Sequence, residues 1–126
     1  MSRPLVVHIS GDFPDAVQPR KTRAIAALVE GTADAFEHRV YSLNRVGRTA
    51  LPGAIEKVAD DGHVASWTYA APPGGLFLAT AMRRVADAIL DDIARRGIRV
   101  ALVQGHKLTI EGLAARRVAE ALGVPY

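Results

Sequence analysis

Short apolar runs rich in β-branched residues alternate along this chain with segments of helical period. Residues 4–10 and 99–104 are the clearest apolar runs, and residues 38–44 and 63–69 are two further candidate strands. Near-continuous apolar runs are typical of strands that are buried on both faces of a parallel sheet. Strands that alternate with helices need crossover connections, which place helices on both faces of that sheet. The pattern therefore predicts an α/β fold with a Rossmann-like parallel sheet.

The helices are predicted from apolar residues that recur at intervals of three and four positions. The face of the first predicted helix, residues 22–34, is formed by Ile25, Leu28, Val29, Thr32 and Phe36. The face of the longest, residues 76–96, is formed by Leu78, Met82, Val85, Ile89 and Ile93. The face of the last is formed by Ile110, Leu113, Ala114, Val118, Ala121 and Leu122. Thr22 and Thr109 are the expected N-caps of the first and last helices, and Gly97 and Gly123 the expected left-handed ends of the later two.

Two further expectations concern the acidic residues. Residues 54–62, AIEKVADDG, are predicted to form a short helix that ends at Gly62. The pairs Asp60-Asp61 and Asp91-Asp92 are interpreted as solvated. On the long helix the second pair precedes Arg95-Arg96 by four positions, a spacing that favours ion pairs along the helix surface.

Composition excludes several classes of protein. At 126 residues the chain is long enough for one domain with its own core and too short for two. It contains no cysteine, which excludes disulfides and thiolate metal sites and fits a reducing compartment, so a cytoplasmic location is expected. No segment resembles a secretory signal or approaches the roughly 18 apolar residues that span a bilayer. The few aromatic residues are not interleaved with basic ones, so no nucleic-acid partner is predicted.

The end of the chain predicts a longer polypeptide. After Gly123, the residues Val124-Pro125-Tyr126 look like the start of a connection into another strand. A doubly wound domain would continue with that strand and usually with more. We therefore expect the chain to be a single Rossmann-like domain that is truncated before its last strands, at the beginning of a larger protein.

The loop of residues 11–22 is the first candidate binding site, because ligands of open parallel sheets bind beyond the carboxyl ends of the strands. Gly11 lets a ligand approach the backbone closely, and Asp12 follows it. Lys21 and Thr22 lie at the expected start of a helix, where free N–H groups and the helix dipole favour an anion. The loop matches neither GxGxxG nor GxxxxGK[ST], so a solvated basic loop stays the alternative.

His106 and Lys107 form the second candidate site, at the carboxyl end of the last predicted strand. An imidazole exchanges protons near neutral pH, so His106 is either a binding residue or the partner in a structural hydrogen bond. Glu111 is placed to pair with Lys107. No set of residues has the spacing of metal ligands or of a Gly-x-Ser-x-Gly elbow, so neither a metal site nor a hydrolase triad is predicted. The remaining histidines, interpreted as structural, are His8, His38 and His63.

Two segments taken together resemble a known family. HISGDFPDAVQPRKTRAIAALVE near the start and VQGHKLTIEGLAARRVAEALGVPY at the end are similar, in the same order, to the N-terminal domain of bacterial glycosyltransferases of family 4, which have the GT-B fold. The resemblance covers essentially the whole chain. It implies two Rossmann-like domains across a cleft, the N-terminal one contributing mainly to acceptor binding and the C-terminal one binding a nucleotide-sugar donor. It also implies sugar transfer with retention and no metal for donor binding.

Carried over by position, the resemblance also names residues. The residues that the resemblance places on this side of the cleft are Gly11, Asp12, Lys21, Thr22, His106 and Lys107. The family's candidate catalytic histidine and its donor-binding groups would lie beyond Tyr126. The expectation is therefore an acceptor-side domain that has no catalytic residue or cofactor of its own and is inactive alone.

Other interpretations stay open. The chain could instead be a small non-catalytic α/β module that binds a ligand or a partner, although only Asp12 suits a receiver-like site and no flavodoxin-like phosphate loop follows the first strand. An uncovered sheet edge would allow self-association. Peripheral membrane association of the larger protein also stays open, with a solvated helix face as its alternative. The arginines that would contact lipid are Arg83, Arg84, Arg95 and Arg96.

Overall fold

Strands and helices alternate in the structure, with one additional strand in the middle of the chain. The computed structural model describes residues 3–47, 54–72, 75, 77–107 and 110–126. Within these residues the elements are, in chain order, β1 (Leu5–Ser10), α1 (Ala24–Gly31), β2 (Glu37–Val46), β3 (Ile55–Asp60), β4 (Val64–Ala70), α2 (Leu78–Arg96), β5 (Leu102–Gly105) and α3 (Glu111–Leu122).

The five strands form one mostly parallel sheet in the order β3-β4-β2-β1-β5. Strand β1 pairs in parallel with β2 and β5, and β2 pairs in parallel with β4. Only β3 runs antiparallel to its neighbour β4. The predicted α/β fold with a Rossmann-like parallel sheet is confirmed, and the carboxyl ends of four strands meet at one edge of the sheet.

Helices α2 and α3 pack against one face of the sheet and form the main core with it. Alternate residues of each strand point to this face, such as Val7 and Ile9 of β1, because successive side chains of a strand point to opposite sides. Trp67 of β4 is 1% exposed in the same core. The residues that α2 contributes include Met82, Val85, Ile89 and Ile93, as predicted.

The opposite face of the sheet carries helix α1 and is far more polar. A small apolar cluster joins Ala26 of α1 to Phe13 and Val40. The buried polar side chains that share this face, by the alternation of strand residues, are His8, Ser10, Ser42, Asn44 and Ser66. Buried polar groups need hydrogen-bond partners, so this face is where side-chain networks are expected.

The predicted helix at residues 54–62 is wrong, because this segment contains strand β3. Ile55 pairs with Tyr69 across the antiparallel ladder, and the Lys57 ammonium lies 5.0 Å from the centroid of the Trp67 ring. The residues Ala, Glu and Lys favour a helix, but a helix this short is marginal without tertiary packing. Pairing with β4 satisfies its backbone groups and outweighs that preference.

Helix α1 is shorter than the predicted residues 22–34. Its N-cap is Arg23 rather than Thr22, whose hydroxyl accepts only a long hydrogen bond of 3.4 Å from the amide of Ala24. Leu28 is 47% and Phe36 38% exposed, so the predicted apolar face is only partly buried. The sheet face below offers α1 little apolar surface, which explains the shallow burial.

The predicted ends of the two longer helices are confirmed. Gly97 and Gly123 both adopt left-handed conformations, with φ of 64° and 68°. The predicted face of α3 is partly wrong, because Leu113 is 45% exposed while Ala115 and Ala119 are buried. The expected N-cap Thr109 lies outside the described residues, and Ile110 occupies the N-cap position of α3. Leu76, the expected start of α2, also lies outside the described residues.

The interpretation of the acidic pairs is wrong for one of the four residues. Asp60, Asp61 and Asp91 are exposed, as expected, and Asp91 pairs with Arg95 at 2.9 Å. Asp92 is instead 5% exposed, and the side chain of Asp60 is 24% exposed. Both bind the buried guanidinium of Arg39, which the sequence pattern did not indicate.

The two edges of the sheet differ. Strand β3 is an edge whose residues after Ile55 are exposed. At the other edge, the amide of Val103 in β5 donates to the carbonyl of Pro125 at 3.0 Å. None of the helices in the described part of the chain is long and apolar enough to cross a membrane.

Candidate functional site

The candidate site lies where the carboxyl ends of β1 and β5 meet the start of α3. Strand β1 leads into Gly11, and β5 leads into His106, whose amide donates to the carbonyl of Ile9 at 3.2 Å. Parallel pairing of β1 with β5 holds these two ends side by side. We refer to this region, formed by residues 11–21, 106–107 and Glu111, as the carboxyl edge.

Glu111 is the most unusual side chain at the carboxyl edge. It is 3% exposed, and its Oε1 accepts a hydrogen bond of 2.6 Å from the amide of Gly11. Its Oε2 is buried and has no hydrogen-bond partner among the described residues. A buried carboxylate oxygen without a donor is costly, so this atom is ready to accept a hydrogen bond from a hydroxyl group or a water. Glu111 also contributes to raising the pKa of Tyr69, after the larger effect of burial.

Two glycines permit this close approach of α3 to the strands. A Cβ atom on Gly11 would lie 2.6 Å from Oε1 of Glu111. A Cβ atom on Gly105 would lie 2.9 Å from the carbonyl oxygen of Glu111 and 3.0 Å from the Cβ of Ala115. The absence of side chains at both positions therefore lets the first turn of α3 sit directly on the ends of β1 and β5.

The charged groups of the carboxyl edge largely neutralise one another. Lys107 forms an ion pair with Asp12 at 3.2 Å. The ammonium of Lys21 lies 3.5 Å from the carbonyl of Leu43. Burial lowers the pKa of Lys21, and the carboxylates that oppose this effect are Asp15, Asp12 and Glu111. With Arg20 included, three carboxylates stand against three cationic side chains, so this edge has no excess of positive charge to attract a phosphate.

Asp15 fastens the loop of residues 11–22 to the polar face of the sheet. Its Oδ1 accepts from the amides of Val17 and Gln18 at 3.0 and 2.7 Å. Its Oδ2 accepts from the hydroxyl of Ser42 and from the amide group of Asn44, the latter at 2.8 Å. Burial raises the pKa of Asp15, but these hydrogen bonds outweigh it and the net pKa is lowered. The loop is thereby held in one position beside Gly11.

Three histidines form a hydrogen-bonded row across the polar face of the sheet. Nδ1 of His8 lies 2.9 Å from Nε2 of His106, and Nε2 of His8 lies 2.7 Å from Nδ1 of His38. Nε2 of His38 then lies 2.9 Å from the hydroxyl of Thr32, which also contacts the carbonyl of Leu28 at 2.8 Å. We call His106, His8 and His38 the histidine row. It begins at the carboxyl edge and runs across β1 to β2.

The histidine row is held in its neutral form. Burial, with smaller contributions from its two histidine neighbours, lowers the pKa of His8 to about 3. Burial also lowers the pKa of His106, which Asp12 partly opposes. The pKa of His38 is lowered chiefly by burial and also by Arg3, against a contact with Thr32 that raises it. At neutral pH each ring therefore has one N–H donor and one acceptor nitrogen.

The far end of the histidine row reaches a groove at the opposite edge of the sheet. The groove has a volume of about 640 Å³ and includes His38 in its wall. Arg3 and Leu5 line it from the start of β1, and Phe36 and His63 line it near the starts of β2 and β4. His38 is therefore placed between the buried His8 and an open surface.

The structure brings together most, but not all, of the predicted site residues. Those at the carboxyl edge are Gly11, Asp12, Lys21, His106 and Lys107. Thr22 is exposed and contacts the start of α1, so the structure does not join it to the others. The carboxylate of Glu111 accepts a hydrogen bond from the amide of Gly11. Lys107 forms its ion pair with Asp12 rather than with Glu111, its expected partner.

Sequence reasoning missed the connection between the histidines and the role of Asp15. His8 and His38 were interpreted as structural, and both are buried or partly buried, but their bonds lead to His106. One signal was present for His8, which lies between the apolar Val7 and Ile9 of a predicted strand. Asp15 had no comparable signal for its contact with the sheet, since Ser42 and Asn44 are 27 and 29 residues away.

The histidine row does not form a metal centre. No group of three or more His, Cys, Asp or Glu side chains is arranged to hold a metal ion in the described ranges of the chain. The ring nitrogens face one another rather than a common point, because each inner nitrogen is already hydrogen-bonded to the next ring.

A scan of the chain against protein-family models found no match, and a search of curated proteins found no matching sequence.

Proposed function

We propose that the chain is the acceptor-side N-terminal domain of a retaining glycosyltransferase, which transfers a sugar from a nucleotide-sugar donor. The observation that carries the proposal is the buried Glu111 carboxylate, with one oxygen on the amide of Gly11 and the other without a donor. This pair lies where open parallel sheets bind their ligands. The resemblance to the N-terminal domain of family 4 glycosyltransferases supplies the reaction class.

The charge of the carboxyl edge favours an acceptor over a donor. Sugar hydroxyls donate hydrogen bonds, and carboxylates are strong acceptors for them. Asp12 and Glu111 offer such oxygens at the end of β1. The diphosphate of a nucleotide sugar would instead meet Asp12, Asp15 and Glu111 around Lys21. Recognition of the donor is accordingly assigned to a second Rossmann-like domain, and this chain alone is proposed to be inactive in transfer.

The proposal is tested by following backbone amide NMR signals during titration with neutral glycosides and, separately, with nucleoside diphosphates. Neutral glycosides should shift the signals of Gly11, Asp12 and His106, whereas nucleoside diphosphates should not. Glu111→Gln should weaken glycoside binding roughly tenfold, because a hydrogen bond to a charged group contributes about 1.5–3 kcal/mol.

The matched control is Glu120→Gln on the same helix. Glu120 is exposed and pairs only with Arg116 in the described part of the chain, at 2.9 Å, so this change should leave glycoside binding unaltered. Binding of a nucleoside diphosphate at the carboxyl edge, without any glycoside binding, would contradict the acceptor assignment. Sugar transfer by the 126-residue chain alone would contradict the need for a second domain.

A further inference from the structure

The three rings of the histidine row meet edge to edge and in line. The centroids of His8 and His106 are 5.1 Å apart with ring planes 14° from parallel, while the facing nitrogens are 2.9 Å apart. The centroids of His8 and His38 are 4.9 Å apart, with 2.7 Å between facing nitrogens. In both pairs the distance between centroids exceeds the distance between the facing nitrogens by about the sum of the centroid-to-nitrogen distances within the two rings. The facing nitrogens therefore lie close to the line that joins the two centroids. Each contact therefore has hydrogen-bond geometry rather than face-to-face stacking.

This arrangement allows only two neutral states of the row. If His106 donates from Nε2, then His8 accepts at Nδ1 and must carry its own proton on Nε2. His38 then accepts at Nδ1 and likewise carries its proton on Nε2. In the reverse state all three rings carry the proton on Nδ1, and His38 accepts from the hydroxyl of Thr32. The three histidines must share one tautomer, because any mixed state leaves two donors or two acceptors facing each other.

We propose that the histidine row is a proton relay, which carries a proton between the carboxyl edge and the hydroxyl of Thr32 on the far side of β1. The relay is a function of His8, His38 and His106 that does not depend on which ligand the carboxyl edge binds. His8 is 1% exposed, so the protons pass through it without contact with bulk water.

The transfer is balanced in protons at every step. A ligand hydroxyl or a water gives a proton to Nδ1 of His106, and His106 releases its Nε2 proton to Nδ1 of His8. His8 releases its Nε2 proton to Nδ1 of His38. His38 releases its Nε2 proton to the oxygen of Thr32, whose own proton leaves to water. Each ring begins and ends neutral with its tautomer inverted, and one proton has crossed β1. Transfer in the opposite direction restores the first state.

The charged groups around the row suit this function. Near His106 the acidic Asp12 and the basic Lys107 pair with each other and offset one another. The charge that acts on His38 is that of Arg3, whose guanidinium lies 3.8 Å from the carboxylate of Glu37. The remaining titratable groups in the wall of the groove are Glu30, Arg39, His63 and Arg96. Because opposite charges near each end of the row offset one another, neither end is held permanently protonated.

The shared tautomer is tested on the unaltered chain with 15N-labelled histidine. The chemical shifts of both ring nitrogens report the fraction of each tautomer, and exposed His63 serves as an internal reference. We expect the three histidines of the row to show the same averaged fraction of the two tautomers at every pH where the chain is folded. A single frozen tautomer in the row would overturn the relay, and so would three different fractions.

The path is tested with variants at Thr32 and His8. Thr32→Val removes the hydroxyl through which the proton leaves and should abolish the averaging between the two tautomers. Thr32→Ser should retain this averaging. His8→Phe should make the fractions at His38 and His106 independent of each other. Unchanged averaging in Thr32→Val overturns the exit through the hydroxyl, and equal fractions in a folded His8→Phe chain overturn the row itself. Glycoside titration of the same variants separates these outcomes from a failure of the proposed acceptor site.

Discussion

The guanidinium of Arg39 lies 2.8 Å from the carboxylate of Asp92 beneath helix α2, and the two side chains are 2% and 7% exposed. Asp60 binds the same guanidinium at 2.7 Å, and the hydroxyl of Tyr41 donates to Asp92 at 2.7 Å. This network joins the centre of β2 to the end of β3 and the last turns of α2. Its hydrogen bonds hold the pKa of Asp60 at about 2, chiefly through Arg39.

Removal of Arg39 should destabilise the chain strongly. Arg39→Met removes the most buried cation that faces Asp92, which keeps Arg96, Arg95 and Tyr41 as partners, and loss of one partner of a buried ion pair costs up to about 3–5 kcal/mol. Urea unfolding followed by the fluorescence of Trp67 measures this loss. The double change Arg39→Met with Asp92→Leu should recover most of it, because no buried charge then lacks a partner.

The matched control for this prediction is Arg117→Met. Arg117 pairs with Asp87 at 3.0 Å, but the side chains are 47% and 54% exposed. An exposed pair contributes less than about 1 kcal/mol, so the unfolding midpoint should move little. A similar loss of unfolding free energy in both variants would show that burial does not account for the stabilising effect of the Arg39 ion pair.

Gly105→Ala should destabilise the chain and displace α3. The new Cβ would lie 2.9 Å from the backbone oxygen of Glu111, which cannot move without its helix. Overpacking of this kind costs about 1–3 kcal/mol. Gly31→Ala is the control, because nothing lies within 4 Å of a Cβ there and the residue ends α1. It should stabilise α1 by about 0.5–1 kcal/mol, and equal losses for the two variants would contradict the close approach at Gly105.

Acid should weaken the fold at pH values where the carboxylates of lowered pKa, such as Asp15 and Asp60, are still ionised. The pKa of His8 is lowered from 6.5 to about 3, chiefly by burial, so below pH 6.5 the unfolded chain binds a proton at His8 that the folded chain does not. The stabilising contribution is complete above pH 6.5 and is lost as pH falls through this window. The free energy of unfolding should fall by up to about 1.4 kcal/mol per pH unit from this residue alone.

Urea titrations between about pH 7 and pH 4.5 measure this slope. It should become shallower in His8→Phe, because the buried imidazole is then absent. The carboxylates with lowered pKa values, Asp15, Asp60, Asp61 and Asp92, lose their contribution only below their ordinary value of 3.8. A stability that stays constant from pH 7 to 4.5 would show that His8 is not kept neutral by burial.

Asp15→Ala should release the loop of residues 11–22 from the sheet. The change removes acceptors for the amides of Val17 and Gln18 and for the side chains of Ser42 and Asn44. The loss should be about 2–3 kcal/mol, and hydrogen exchange at the amides of Val17 and Gln18 should accelerate. Exposed Asp34→Ala is the control and should change neither quantity. Protected loop amides in Asp15→Ala would show that other contacts fix the loop.

Hydrophobic pattern was sufficient to predict most of the fold. The strands β1, β2, β4 and β5 and the helix α2 lie within a few residues of their predicted positions. Strand β3 could not be predicted this way, because its residues favour a helix and its strand form depends on pairing with β4. The pattern predicted too long a helix at α1, since its burial depends on how much apolar surface the sheet presents.

Position along the strands predicted where the candidate residues lie in the fold, but not what they contact. Gly11 and His106 were expected at the carboxyl edge because each follows a predicted strand. The contact of His8 with His106 depends on the register between β1 and β5, in which His8 pairs with Gln104, two residues before His106. A shift of the register by one residue would turn His8 to the other face, and a sequence does not specify that register by itself.

The two edge strands, β3 and β5, differ in how readily the sheet could be extended beyond them. Beyond β3 the backbone meets exposed, partly charged residues that discourage further pairing. Beyond β5 the amide of Val103 already bonds Pro125, so added chain would continue the ladder there. For protein engineering, a fused strand or a split-protein complement should therefore be grafted after Pro125, because the opposite edge, β3, is lined by exposed and partly charged residues.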